Sequence, residues 1–211
     1  MHTPTNRILR AAWSFSTLLV AVSASAAELP RDEVVAVWKP QRLVFNYRSE
    51  GRHYSCSTLE YKIKLILEHL GADDRLELRS FSCHDLANLA RFEVVMHSPV
   101  AATEENVRAI TEYDSKEQLV ARVNGVELPS AVEIETFPAV WASVSFRMLD
   151  LDAGDCALVQ QLRSQVLPKM SVRIARDIRG VDCAQELRGI AFPRLTVHAL
   201  VPRDAHASEE H

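Results

Sequence analysis

The stretch 154-GDCALVQQL-162 decides how this chain folds, because it places a cysteine at the start of an apolar helical pattern. The stretch 55-SCSTLEYKIKLILEHL-70 has the same arrangement 100 residues earlier. Cys56 and Cys156 therefore lead two similar segments, and the rest of the chain can be aligned outward from them. Such a repeat at a fixed offset is the mark of an internal duplication.

Both segments carry the apolar stripe of a helix that packs on a core. Their apolar residues recur at intervals of three and four, which is the period of one helical face. The residues on the two stripes are Leu59, Ile63, Ile66, Leu67 and Leu70, and then Val159, Leu162, Val166, Leu167 and Met170. We expect helices over 56–70 and 156–170, with Ser55 and Asp155 placed as N-caps and Gly71 ending the first helix. Pro168 should kink the second helix or end it early.

Strand patterns surround both helices in the same order. The alternation of Leu43, Phe45 and Tyr47 before the first helix is matched by Val144, Phe146 and Met148 before the second, and both predict half-buried strands. Two further strand-like runs follow each helix. The fold class expected is α+β, with two tandem β-α-β-β repeats of a ferredoxin-like kind.

The chain divides into five parts on this interpretation. A signal peptide over 1–26 precedes a first repeat at 27–100, a connecting segment at 101–140, a second repeat at 141–203 and a disordered tail at 204–211.

The connecting segment is ambiguous in its middle. Residues 103–113 favour a helix, and residues 131–137 look like a strand. Ser115 and Gln118 form a possible capping box ahead of a helix that ends at Gly125. The alternation of residues 119, 121 and 123 into Asn124-Gly125 is equally typical of a hairpin. The sequence therefore does not decide between a helix and a hairpin for residues 118–128.

The four cysteines that follow the leader divide into two pairs of equal spacing, Cys56 with Cys83 and Cys156 with Cys183, each 27 residues apart. A helix from 56 to 70 runs about 22 Å at ~1.5 Å per residue, and a strand from 76 to 82 returns about 23 Å at ~3.3 Å per residue. The chain thus comes back to its starting point, which brings Cys83 near Cys56, and the same arithmetic holds for the second pair. We predict one disulfide in each repeat.

The N-terminus has the three parts of a secretory signal. Arg7 and Arg10 precede an apolar run over about 11–22, and small residues at 24–26 suit signal peptidase. The apolar run is shorter than the ~20 residues that span a bilayer, and no later stretch approaches that length. Cleavage would remove two arginines and no acid, which changes the net charge from −4 to −6. We expect a periplasmic or secreted protein without a basic surface for nucleic acid.

Sequence motifs for catalysis are lacking: the chain has no G-x-S-x-G, H-E-x-x-H, G-x-G-x-x-G or Walker-type loop, and we expect no cofactor. One group of residues supports a different chemistry. If Cys56 and Cys83 meet, then His53 and His84 come with them, and soft sulfur with imidazole suits zinc or copper. A thiolate at a helix N-terminus could also serve redox chemistry. The second repeat has alanines, Ala153 and Ala184, at the matching histidine positions.

The strings 156-CALVQQLRSQVLPKM-170 and 54-YSCSTLEYKIKLILEHLGA-72 resemble a family of secreted proteins of Gram-negative bacteria with two cysteine-led helices. The resemblance implies export and this architecture, and it supplies no activity and no site residues. The expected function is a non-catalytic binding or assembly module, acting on a protein or small ligand through a sheet face or through the seam between the repeats. The alternative is a metal-handling or thiol-redox protein that uses His53, Cys56, Cys83 and His84.

Overall fold

A computed structural model describes residues 33–49, 53–83, 88–176 and 195–204. Within these ranges the chain forms six strands and four α-helices, so the α+β prediction is confirmed. The elements in chain order are β1 (Glu33–Arg48), α1 (Cys56–His69), β2 (Glu77–Ser82), β3 (Leu89–Ala101), α2 (Glu104–Thr111), α3 (Ser115–Asn124), β4 (Thr136–Ser145), α4 (Cys156–Gln165), β5 (Val172–Arg176) and β6 (Thr196–Pro202). None of the helices in this part of the chain is long and apolar enough to cross a membrane.

All six strands belong to one antiparallel sheet with the order β2-β3-β1-β4-β6-β5. The two central strands each begin a β-α-β-β run: β1 is followed by α1, β2 and β3, and β4 by α4, β5 and β6. The second half of the sheet therefore mirrors the strand order of the first.

The two halves meet along a short stretch of paired backbone. Residues 33–37 of β1 pair with residues 136–140 of β4, so the described parts of the two strands overlap only at their N-terminal ends. β3 and β6 nevertheless come into contact, although they would lie roughly 14 Å apart in a flat sheet. The sheet is therefore strongly curved around its centre.

α1 and α4 lie on one face of the sheet and share a single core. All ten side chains of the two predicted stripes are buried, at 7% exposure or less, and the helical interpretation is confirmed for Cys56–His69 and for Cys156–Gln165. They pack on the sheet residues Phe45, Phe92, Met96 and Val197. Each such side chain contributes roughly 1.5–3 kcal/mol to stability when it leaves water.

The first helix ends as predicted, and the second ends early. The side chain of Ser55 accepts a hydrogen bond from the N–H of Thr58, and Gly71 adopts a positive φ of 94° after the last turn of α1. α4 stops at Gln165, and Pro168 lies in the short 3-10 turn that follows, Leu167–Lys169. The missing N–H of the proline explains why the α-helix does not continue.

Two strand expectations are wrong, and one capping expectation is met only in position. Met148 is 85% exposed beyond the end of β4, because that strand ends at Ser145 and the chain then turns. Residues 131–135 lie in turn or irregular structure, and the strand begins at Thr136 instead. Asp155 occupies the N-cap position of α4 but makes no capping hydrogen bond, because its carboxylate is engaged elsewhere.

The ambiguous part of the connecting segment is a helix, α3. The capping box is formed by Asp114 and Glu117, one residue earlier than the expected pair Ser115 and Gln118. The Asp114 carboxylate accepts from the N–H of Glu117, and the Glu117 carboxylate accepts from the N–H of Asp114. Gly125 ends the helix with a positive φ of 65°. A positive φ suits glycine in a turn as well as at a helix end, so the Asn-Gly pair alone does not distinguish them.

Candidate ligand-binding cleft

The predicted disulfide of the first half is present. The sulfurs of Cys56 and Cys83 are bonded, with the Cα atoms 5.9 Å apart, where α1 begins and β2 ends. Cys156 is also held in a disulfide. Its predicted partner, Cys183, lies outside the described residues, so the second pairing stays a prediction.

The four residues of the proposed metal or redox site are only partly described. Cys56 and Cys83 are oxidised and offer no thiolate, and His53 is exposed. His84 lies outside the described residues. Within the described ranges no group of three or more His, Cys, Asp and Glu side chains is arranged to hold a metal ion.

A buried ion pair joins the two helices, and the sequence analysis missed it. Nζ of Lys62 in α1 lies 2.7 Å from Oδ2 of Asp155, which is fully buried. The same carboxylate accepts hydrogen bonds from the hydroxyl of Tyr54 and, at 2.6 Å, from the N–H of Asp152. Lys62 lies between Leu59 and Ile63 on the apolar side of α1. A cation at such a position requires a buried partner, so this position is the sequence signal that could have revealed the ion pair.

Two glutamine side chains of α4 hydrogen-bond to the backbone of β1 along the edge that β4 does not reach. The N–H of Asn46 donates to Oε1 of Gln165 at 2.9 Å, and Nε2 of Gln165 donates back to the C=O of Asn46 at 2.9 Å. Gln161 makes the same pair of bonds with Arg48, at 2.8 and 2.7 Å. The amide side chains thereby satisfy backbone groups that β4 does not reach, since β4 pairs with β1 only up to Val37.

A cleft of about 720 Å³ opens at the seam between the halves. The first half contributes Trp38 of β1, residues 68 and 69 at the end of α1, and the following residues 71–74. The second half contributes residues 142–145 of β4, residues 148 and 149 of the next turn, and residues 201 and 202 of β6. This volume is within the range of small-ligand sites in proteins.

One part of the cleft lining is acidic, here called the acidic wall, and much of the rest is apolar. Glu68, Asp73 and Asp74 come from the end of α1 and the loop after it, and the apolar lining includes Val144, Leu149 and Val201. No lysine or arginine is among the described residues that line it. Arg75 at Asp73 and Lys64 at Glu68 offset part of this negative charge from outside the lining, and what remains suits a ligand that combines apolar surface with positive charge.

The acidic wall is held in place by Asp73. Its side chain is 7% exposed and forms an ion pair with Arg75, and its N–H donates to the C=O of His97 at 3.0 Å. Oδ1 of Asp73 and Nδ1 of His97 are buried 3.4 Å apart, and neither makes a hydrogen bond. These contacts fasten the loop after α1 to β3, so the carboxylates of the wall have a defined position.

Gly71 packs tightly against the second half at this cleft. A Cβ at this position would lie 2.6 Å from the backbone oxygen of Leu200 in β6, which is closer than real Cβ contacts allow. Only glycine fits here, and it lets the end of α1 lie directly on the second half of the sheet.

Groups with shifted pKa values lie elsewhere. Burial raises the pKa of Tyr113, and the N–H of Ser130 lowers the pKa of Glu133 by hydrogen bonding to its carboxylate. Both belong to the connecting segment, and neither lines the cleft. The geometry of the cleft thus offers shape and charge for binding.

Comparison with known protein families, with curated proteins and with solved structures finds no match to this chain.

Proposed function

We propose that the protein is an exported, non-catalytic binding module whose ligand occupies the cleft at the seam between the two halves. The observation that carries this proposal is the cleft itself, about 720 Å³, built by both halves and lined by carboxylates and apolar side chains. Its ligand, a protein segment or a small molecule, carries positive charge beside apolar surface.

Export is supported by the leader pattern over 1–26 and by the Cys56–Cys83 disulfide, which fits an oxidising compartment such as the periplasm or the exterior. Duplication of one β-α-β-β unit is supported by the mirrored strand order and by the equal cysteine spacing. On this view the cleft arose where two copies of one unit joined.

Met148 offers a direct test because it lines the cleft and is 85% exposed, so a substitution there leaves the core intact. Met148→Arg places a cation at the mouth of a cleft that is proposed to take cations. Val132→Arg is the matched control, because Val132 is 95% exposed and does not line the cleft.

The three immobilised proteins are exposed to an envelope extract and to a library of small cationic amphiphiles. We expect the same ligand to be retained by the wild type and by Val132→Arg, and to be at least tenfold depleted on Met148→Arg. Equal retention by all three proteins, or retention by none, would overturn the proposal. Circular dichroism confirms that each variant is folded.

The metal-handling or thiol-redox alternative requires free sulfur at Cys56 and Cys83. Titration of thiols in the unfolded protein, together with elemental analysis, separates the two functions. No free thiol and no bound metal in protein isolated from its native compartment would eliminate the alternative, and two free thiols with stoichiometric metal would favour it.

A further inference from the structure

We propose that copies of this chain associate head to tail, with the acidic connecting segment of one copy docked on an arginine-rich sheet face of the next. Each surface thus takes a second copy of this chain as its partner, independently of the ligand of the cleft. Opposite charges on the two surfaces, exposed apolar side chains on both, and their separation within one copy carry this inference.

The first surface is the side of β1, β2 and β3 that faces away from the helices. Phe45 and Phe92 lie opposite each other and belong to the core, so their side chains mark the helix side of the sheet. Successive side chains of a strand point to opposite faces, and paired residues share a face. The other face, here called the arginine face, therefore carries four arginines and two large apolar side chains: Arg42, Arg48, Arg79, Arg91, Phe81 and Leu89.

The charge of the arginine face is positive. All four arginines are exposed, and glutamates of the same face lie 3.7 Å from Arg42 and 2.7 Å from Arg79. Arg48 and Arg91 therefore exceed the acidic residues that these three strands place on this face. The whole chain has a net charge of −4, so the arginine face differs in sign from the chain that carries it. It attracts an acidic partner.

Apolar side chains accompany these charges. Phe81 is 61% exposed and Leu89 is 58% exposed, and the Arg91 guanidinium lies 6.0 Å from the centre of the Phe81 ring. Arginine and aromatic residues are enriched where proteins meet, whereas lysine is depleted. The arginine face thus has the composition of a protein interface, and its partner should be acidic and partly apolar.

The complementary surface is the part of the connecting segment at residues 102–135, here called the acidic arm. It holds eight acidic and three basic residues, and all eight acidic side chains are exposed. Its apolar residues are exposed as well: Leu119 to 57%, Val123 to 76% and Val132 to 95%. Within α3 only Ala121 is buried, so this helix packs little on its own copy.

The two surfaces lie toward opposite ends of β1. The acidic arm begins where the N–H of Ala102 donates to the C=O of Val35, and it ends where Thr136 lies opposite Val37. Arg91 of the arginine face lies opposite the ninth residue of β1 after Val37, which is about 30 Å further along the strand at ~3.3 Å per residue. Two different surfaces so placed make a heterologous contact, which repeats from copy to copy instead of closing on a dimer.

Sedimentation velocity of the full chain, at increasing protein concentration in low and in high salt, tests this assembly. We expect the average mass to rise past that of a dimer, with an association constant about tenfold lower in high salt because the contact is electrostatic. A wild type that stays monomeric, or that stops at a dimer, overturns the proposal. This arm of the test needs no variant.

Two neutralising double variants test the surfaces separately. Arg48→Gln with Arg91→Gln removes charge from the arginine face, and Glu112→Gln with Glu127→Gln removes it from the acidic arm. Each variant alone should associate about tenfold more weakly than the wild type. An equal mixture of the two should form a dimer that does not grow, because each variant keeps the surface that the other has lost. A mixture that associates no better than its components overturns the proposal.

Arg147→Gln with Lys169→Gln is the matched control, because both side chains are exposed, lie on neither surface and change the net charge as the arginine variant does. It should assemble as the wild type does, and an equal loss in this control would show that only net charge matters and overturn the docking. Circular dichroism confirms that each variant is folded.

Vesicles of phosphatidylglycerol are the second probe, because an anionic lipid surface would also attract the arginine face. Vesicle binding by a monomeric wild type, lost in Arg48→Gln with Arg91→Gln, would make this face a membrane-contacting surface and overturn self-association. The capture experiment with Met148→Arg decides the function of the cleft separately.

Discussion

Gly71 occupies the point where the end of α1 lies against the backbone of β6. We expect Gly71→Ala to lower the free energy of unfolding by about 3 kcal/mol or more, because it combines a positive φ of 94° with a Cβ only 2.6 Å from the oxygen of Leu200. Gly125→Ala is the matched control, because its φ is also positive but no atom lies within 4 Å of the added Cβ. Gly125→Ala should lower the free energy of unfolding by about 1 kcal/mol. Urea unfolding of both variants measures the difference, and equal losses would show that the contact with β6 carries no cost.

Lys62 and Asp155 form the second residue-level constraint. Lys62→Met leaves a fully buried carboxylate without its cation, so we expect a loss of about 3–5 kcal/mol in the free energy of unfolding. Lys64→Met on the same helix is the control, since Lys64 is 46% exposed and lies 3.9 Å from Glu68. That loss should stay below about 1 kcal/mol.

The double variant Lys62→Met with Asp155→Asn should recover part of the stability, because the remaining side chain is neutral. If thermal or urea unfolding finds Lys62→Met no worse than Lys64→Met, the ion pair does not hold the two helices together.

At the scale of single elements, the glutamines of α4 should protect backbone amides that no strand covers. The N–H groups of Asn46 and Arg48 are predicted to exchange slowly with solvent in the wild type. Gln165→Ala should speed exchange at Asn46 by about five- to tenfold, as expected for a hydrogen bond with a net worth of ~1 kcal/mol. Arg48, held by Gln161, is the internal control and should change little. Faster exchange at both amides would mean that α4 moves away as a whole.

The helices could be predicted from the sequence, because a period of 3.6 and a capping residue are local properties of a short stretch. The stripe residues within α1 and α4 are buried for this reason, whereas Val166, Leu167 and Met170 are buried beyond the end of α4. The cleft could not be predicted in the same way, since Trp38, Glu68 and Ser143 meet only through the order of the sheet. Nor could the role of Gln161 and Gln165, because a glutamine on the polar side of a helix is ordinary until the edge of β1 is seen beside it. The ion pair of Lys62 could be predicted only in part, because the position of Lys62 in the apolar stripe indicates a buried partner but does not identify Asp155.

The whole molecule combines two topologically similar halves with a single core. Each predicted disulfide spans 27 residues within its own half, and loop closure of that length is worth roughly 3.5 kcal/mol in the chain-entropy model. The core, by contrast, does not divide, because α1 and α4 pack into the same layer and Lys62 reaches across to Asp155. The Cys56–Cys83 link is therefore local to the first half, whereas the packing joins the halves.

This combination predicts that the chain unfolds in one cooperative transition, even when one disulfide is removed. Replacing Cys56 and Cys83 by serine should lower the midpoint of the whole transition, since the unit that loses its link shares a core with the other. Replacing Cys156 and Cys183 should lower it by a similar amount, provided that these two residues are joined. Non-reducing peptide mapping checks that second link first. Calorimetry should then show one peak whose calorimetric and van't Hoff enthalpies agree in the wild type and in both variants. Two separate peaks would mean that each half folds on its own, and the cleft would then lie between two independent domains.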